Sequence, residues 1–239
     1  MSDPQVHLDA IFEAQRALLR AEAALFESAD PKAVGVVLRR AVDAAIAEDS
    51  GPPGPARDDA QARLMRLADL CAQVPGPEMV DALLAILDHD EPAVRSEAGD
   101  ALLDVAYERF KEVALGVERL LARSHDGASM EELPFILTEI HDPDPVPLVA
   151  RFLGHAKGDV VASAIEALAE YGDPHALRFL EELVEDERVV HLPDLDDAEA
   201  TIGDLASDAI SMLGGGDEEE EDGRDDEPAP PPPPRRGRR

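Results

Sequence analysis

The side chains of this 239-residue chain with the most obvious chemical potential are histidines and acids that recur at a distance. His89 stands between Asp88 and Asp90, and His155, 66 residues on, has Asp159 close behind it. Imidazole nitrogen and carboxylate oxygen together suit a divalent ion, so these five residues form a candidate metal set. The plainer reading makes both histidines polar turn residues copied along with a repeat. That reading is adopted here, and no metal or cofactor is expected. His125, His141, His175 and His191 also fall where turns are expected and read the same way. Cys71 is the single cysteine, set in an apolar helical pattern; it reads as a small core hydrophobe rather than a nucleophile. The sequence has no Gly-rich phosphate loop, no serine nucleophile elbow and no Cys–His signature. No catalytic residue is assigned, and the chain is expected not to be an enzyme.

Acids form the stronger pattern. Glu97, Asp100, Asp104 and Glu108 follow at i, i+3, i+7 and i+11, which places them on one helical face. Glu166 and Glu170 repeat two of them 66 residues later, and Asp204 and Asp208 stand at i, i+4 in the last predicted helix. These eight are the predicted protein-binding residues, for a partner with a basic helix or an arginine-rich segment. The plain alternative is a solvated face. The tail adds a second candidate. Asp217 to Glu227 is almost wholly acidic, residues 230–234 are all proline, and Arg235, Arg236, Arg238 and Arg239 close the chain. Such a segment is expected to be disordered, with its prolines extended. Its arginines are a predicted ligand for an acidic groove, in this molecule or in a second copy, so self-association through the tail is a further expectation.

The chain carries 53 acidic against 22 basic residues, a net charge of −31. Direct nucleic-acid binding is excluded as an expectation, because it rests on clustered Lys and Arg. Anionic membranes are disfavoured for the same reason, and no 18-residue apolar run exists to span a bilayer. The opening Met1-Ser2-Asp3-Pro4 lacks the regions of a secretion signal, which predicts a reducing, cytoplasmic setting. Three lysines among nineteen arginines further suggest a GC-rich, bacterial source. Apolar residues make up 44% of the chain but aromatics only 3%, a composition for closely stacked helices rather than for aromatic platforms.

The elements that must position these residues follow from 3.6-residue periodicity and from proline and glycine punctuation. Residues 1–57 are expected to form a helical hairpin, residues 6–48, and a Pro/Gly loop. Residues 58–213 are expected to form a repeat solenoid, and 214–239 the tail. Within the solenoid, helices are predicted over 58–72, 78–87, 93–108, 110–123, 131–140, 147–153, 159–171 and 174–183. A loop follows at 186–196, then a last helix over 197–213. Val80, Leu84, Leu87, His89 and Val94 are matched by Val146, Ala150, Leu153, His155 and Val160, each 66 residues on, and Ala98, Ala101 and Leu102 by Ala164, Ala167 and Leu168. A distance of 66 holds two units of about 33 residues, the period of stacked helical hairpins.

The run from Val160 through Ala164, Ala167-Leu168 and Gly172-Asp173-Pro174 resembles a HEAT repeat of the phycobilisome-lyase subtype. Pro92-Ala93-Val94-Arg95, followed by Ala98 and Ala101-Leu102, resembles the start of another copy. The resemblance implies an all-α fold: a right-handed α-α superhelix, armadillo-like, in which the second helix of each pair lines the concave side. It also implies a working surface rather than a buried site, as in an adaptor or scaffold. HEAT-like enzymes and maturation factors of the bilin-lyase kind, and a regulatory or immunity protein that binds a basic partner, are the alternatives it leaves open. Enzymes of this fold resembling deoxyhypusine hydroxylase hold iron through His-Glu pairs, and no His-Glu dipeptide occurs in this chain.

Overall fold

Proline marks where the first five helices begin. Pro4, Pro31, Pro55, Pro77 and Pro92 open α1 (Pro4–Ser28), α2 (Pro31–Asp49), α3 (Pro55–Ala72), α4 (Pro77–Leu87) and α5 (Pro92–Ala122). A first-turn N–H has no helical partner, so proline forfeits nothing there. Asp3 and Asp30 cap α1 and α2 by accepting from backbone amides two or three residues on. The computed structural model describes residues 3–192 and 198–214. Beyond α5 come α6 (Ser129–Thr138), the single turn α7 (Val146–Val149) with a 3-10 turn over Ala150–Gly154, and α8 (Gly158–Tyr171). Then follow α9 (Leu177–Leu180) between two 3-10 turns, the strands β1 (Val189–Leu192) and β2 (Ala198–Thr201), and α10 (Ile202–Gly214).

α5 is two helices in one run. Arg109 leaves helical geometry at φ −141°, ψ 46°, at the place where the sequence separates 93–108 from 110–123. With that bend counted, the pairs are α2/α3, α4/first half of α5, second half of α5/α6, α7/α8 and α9/α10. The second members form a continuous layer in which α3 meets α5, α5 meets α6, α6 meets α8 and α8 meets α10. No single pair buries both its faces; each needs its neighbours.

The 66-residue echo resolves into units in the first members of the pairs. Val80, Val113 and Val146 succeed one another at the predicted spacing, and all three are buried. In the second layer Ala98, Ala101 and Leu102 of α5 and Ala164, Ala167 and Leu168 of α8 are buried together with Met130, Leu133 and Leu137 of α6. Alanine at these crossings lets the helix axes approach. Gly116 serves the same end in an extreme form. A β-carbon there would stand 2.6 Å from Val80 Cγ1, so only glycine admits α4 at this distance. At the end of α8, Gly172 takes φ 78° and its amide reaches Leu168 O; Asp173 then caps the next turn through the His175 amide at 2.8 Å.

Two expectations are corrected. α1 and α2 do not form a hairpin: α2 packs chiefly on α3 and α4, and no residue of α1 is buried. The solenoid therefore begins at α2 rather than at residue 58. The loop and early helix expected over 186–201 are instead an antiparallel ribbon, with Val189 opposite Thr201 and Val190 opposite Ala200. Val190 is buried against the core, so a β-branched strand does the work assigned to a loop. α10 starts at Ile202 because Thr201 and Asp204 form a reciprocal cap. The Asp204 carboxylate accepts from Thr201 N and Oγ1, and Thr201 Oγ1 accepts from Asp204 N. The predicted tail, with Arg235, Arg236, Arg238 and Arg239, lies outside the described residues.

Candidate functional site

The outer face of the second-helix layer holds a groove of about 960 Å³ between α3 and α5. α5 presents Glu97, Asp100, Asp104 and Glu108 to it, one per turn, because its other faces are committed to the core through Val94, Ala98, Leu102 and Val105. α3 presents Arg66, Asp69 and Gln73 across from them. Tyr107 stands at the rim, its hydroxyl donating to Glu139 O at 3.2 Å.

Five acids and two arginines line this groove, and the arginines are already engaged. Arg66 donates to Asp69 at 2.6 Å and pairs with Glu22 of α1. Arg109 contacts Glu108 at 3.0 Å, stands 3.6 Å from Glu112 and donates to Ala72 O at 2.7 Å. Asp100 and Asp104 are exposed, and among the described residues neither has an ion-pair partner. The excess of negative charge registers on Glu97. Burial first, then the nearby charges of Asp69 and Asp100, raise its pKa above the ordinary glutamate value, against a smaller opposing pull from Arg66.

The other four predicted binding acids lie elsewhere. Glu166 and Glu170 are exposed on α8 and Asp208 on α10, and none of them lines the groove. Asp204 is the cap of α10. Its pKa is lowered by the hydrogen bonds from Thr201, which gives it a structural duty. The row is interrupted at α6. There Ile136, half buried, packs 3.5 Å from where a β-carbon of Gly99 would stand, and Ile140 is buried, where the helices on either side carry acids.

The candidate metal histidines occupy matching places at the turns and are engaged by the backbone. His89 Nδ1 accepts from Glu91 N at 2.9 Å, and His155 Nδ1 from Lys157 N at 3.1 Å. The proton is thereby assigned to Nε2, which in His155 donates to His125 O at 2.9 Å and in His89 stands 2.8 Å from Asp49 Oδ2. His125 in turn pairs with Asp88, whose other oxygen accepts from Ser129 N at 3.0 Å. Each turn thus latches onto the preceding repeat. Burial alone would raise the Asp49 carboxyl, but a hydrogen bond from Gln61 and the positive ends of His89 and Arg57 outweigh it and leave its pKa lowered. Among the described residues no three His, Cys, Asp or Glu side chains gather closely enough to hold an ion. Cys71 is fully buried on α3, where desolvation pushes its thiol up to about 12.

A family model described as HEAT repeats matches residues 117–191. The chain carries HEAT repeats. The matched segment runs from the second half of α5 through α8 into β1, and the helix pairing extends the same architecture back to α2. The match is to HEAT repeats in general and does not single out the phycobilisome-lyase subtype. Two solved structures are similar in outline. One is an engineered protein, 19% identical, with TM-score 0.33, covering 82% of this chain and 96% of that one. The other is human deoxyhypusine hydroxylase in complex with glycerol, 16% identical, with TM-score 0.28, covering 75% and 98%. No curated protein matches.

In this HEAT-repeat chain, sequence reasoning found the α5 side of the groove and missed the α3 side. Arg66 and Asp69 were legible in principle. Leu64, Leu67, Ala68 and Cys71 define the inward face of α3, and Arg66, Asp69 and Gln73 fall on what remains. What periodicity could not reveal was that Arg66 would be paired and Asp69 left to crowd Glu97. No described helix is long and apolar enough to cross a membrane.

Proposed function

We propose that this HEAT-repeat protein is a non-catalytic interaction scaffold whose working surface is the acidic groove between α3 and α5. The occupant is a protein partner with a basic segment: an arginine-rich loop or a helix with basic residues one turn apart. Asp69, Glu97, Asp100 and Asp104 recognise it, with Glu108 at one end and Tyr107 as a flat rim contact. Charge complementarity of this kind speeds encounter and selects against acidic partners more than it adds raw affinity.

One observation carries the reading. Glu97 holds its proton more tightly than an ordinary glutamate partly because Asp69 and Asp100 surround it, while the local arginines are turned to other partners. A groove kept merely for solubility would place its acids apart. Here they are crowded to the point of opposing one another, and an incoming cation relieves that opposition. The test is fluorescence anisotropy with a labelled nona-arginine peptide, in parallel with a nona-lysine and a neutral Gly/Ser peptide. Saturable binding of the basic peptides that weakens on adding NaCl is expected. Equal binding of the neutral peptide, or unchanged binding after Asp100→Lys with Asp104→Lys, overturns the proposal.

A further inference from the structure

α1 is the element that the repeat architecture leaves unused. It is 25 residues long, and none of its residues is buried. Its far end is anchored, with Leu25 and Phe26 against the core and Glu22 paired with Arg66. Ahead of that anchor, Val6, Leu8, Ile11, Phe12, Leu18 and Leu19 are 44–62% exposed. Leu8, Ile11, Phe12, Leu18 and Leu19 stand at i, i+3, i+4, i+10 and i+11, so they form one apolar face. Roughly 600 Å² of apolar side chain is presented by the six together, at the upper end of what a monomer ordinarily shows to water.

A second regularity says what covers it. Asp9, Glu13, Arg16 and Arg20 follow at i, i+4, i+7 and i+11, in one row beside the apolar face. The row is mirrored about the peptide between Ala14 and Gln15: Asp9 is as far from that point as Arg20, and Glu13 as far as Arg16. Ile11 and Leu18 are mirrored about the same point. In an antiparallel pair of α1 helices centred there, each acid meets an arginine of the other copy, and Ile11 meets Leu18. A parallel pair sets like charge against like.

We infer that α1 is a dimerisation helix and that its occupant is a second copy of this chain, joined antiparallel across a two-fold axis at Ala14–Gln15. An isologous interface needs a self-complementary surface, and this palindrome of charge and apolar bulk supplies one. The apolar area approaches the roughly 800 Å² per partner of a standard interface before the intervening alanines and flanking charges are added. Within one copy Glu13 and Arg16 pair at 2.5 Å and Gln5 donates to Asp9 at 2.8 Å; the dimer exchanges these exposed contacts for intermolecular ones.

The experiment is sedimentation velocity and light scattering on the full chain at about 1–100 µM, in NaCl high enough to cut the Debye length to about 8 Å and suppress whole-chain repulsion. A concentration-dependent dimer is expected, reduced to monomer by Ile11→Glu with Leu18→Glu. That substitution lies on an exposed helix, so the circular dichroism of the solenoid should not change. Two charge variants then fix the orientation. Asp9→Arg with Glu13→Arg, and Arg16→Glu with Arg20→Glu, should each be monomeric alone and should form a heterodimer when mixed. A wild-type chain monomeric throughout the range overturns the inference. So does a dimer that survives Ile11→Glu with Leu18→Glu and disappears when residues 215–239 are removed, or two charge variants that fail to combine.

Discussion

The two glycines of α5 are predicted to respond in opposite directions to the same substitution. Gly99 and Gly116 are both helical and buried, so alanine at either should gain about 0.5–1 kcal/mol from restricting the unfolded chain. What opposes that gain differs. At Gly99 the nearest atoms to a new β-carbon are Ile136 Cδ1 at 3.5 Å and Leu87 Cδ1 at 3.8 Å, which is ordinary contact. At Gly116 they are Val80 Cγ1 at 2.6 Å and Leu84 Cδ1 at 3.1 Å. Val80 is β-branched and 1% exposed, so its methyl cannot swing aside; α4 must move by about an ångström. Overpacking of that kind costs about 1–3 kcal/mol. Gly99→Ala should therefore stabilise by about 0.5–1 kcal/mol, and Gly116→Ala should destabilise by about 1–2 kcal/mol net. Urea denaturation followed by circular dichroism, with the slope checked for constancy, reads both. Two stabilised variants would mean that α4 and α5 are not in the close contact from which the stack is built, and the argument for how these hairpins pile up would fail.

Three further outcomes follow from the charge and burial of single groups. Native Cys71 should resist a thiol reagent at pH 8, because its thiolate forms only near 12, and should react at the rate of unfolding once urea is added. Glu97→Gln should stabilise the protein at pH 7. A raised carboxyl pKa means that the folded state binds the proton more tightly than the unfolded one, so the ionised group detracts from stability; the advantage of glutamine should fade as the pH falls toward 4.5. Asp186→Asn should do the reverse. The hydrogen bond from Arg188, the leading cause, lowers the Asp186 pKa, so its contribution is present above the ordinary aspartate value of 3.8 and is lost as the pH falls through its lower folded value. The variant should be less stable at neutral pH, and its deficit should vanish in acid melts below that window.

The stack was legible in the sequence because its causes are local and periodic. Valines at a fixed period, alanines at crossings and Gly172-Asp173-Pro174 at a helix end each have one physical use, and the structure puts them to it. The break of α5 at Arg109 was legible too, as a shift of apolar phase between 108 and 110. The failures lie where a decision depends on a distant neighbour. Periodicity shows that α1 is amphipathic but not that α2 would choose α3 and α4 over α1. The ribbon of β1 and β2 depends on Val190 finding room beside Gly158, where a β-carbon would stand 2.8 Å from Val190 Cγ1. Among the acids, spacing identifies a shared face on each helix, but continuity from helix to helix rests on α6, where Ile136 and Ile140 break the row. The histidines show the same limit. Their equivalence was visible, whereas their use as latches between repeats required the positions of Asp49, Asp88 and the His125 carbonyl.

The claim on which the functional account stands is that the α3–α5 groove, rather than acidity at large, selects a basic partner. The direct measurement is the dissociation constant of one nona-arginine peptide for the wild type, for Asp100→Lys with Asp104→Lys, and for Glu166→Lys with Glu170→Lys. Both variants change the net charge by the same amount. The account predicts a loss of at least about ten-fold for the groove variant and less than about three-fold for the α8 variant at the same ionic strength. Equal losses in the two would show that the peptide responds to overall charge, and would contradict it.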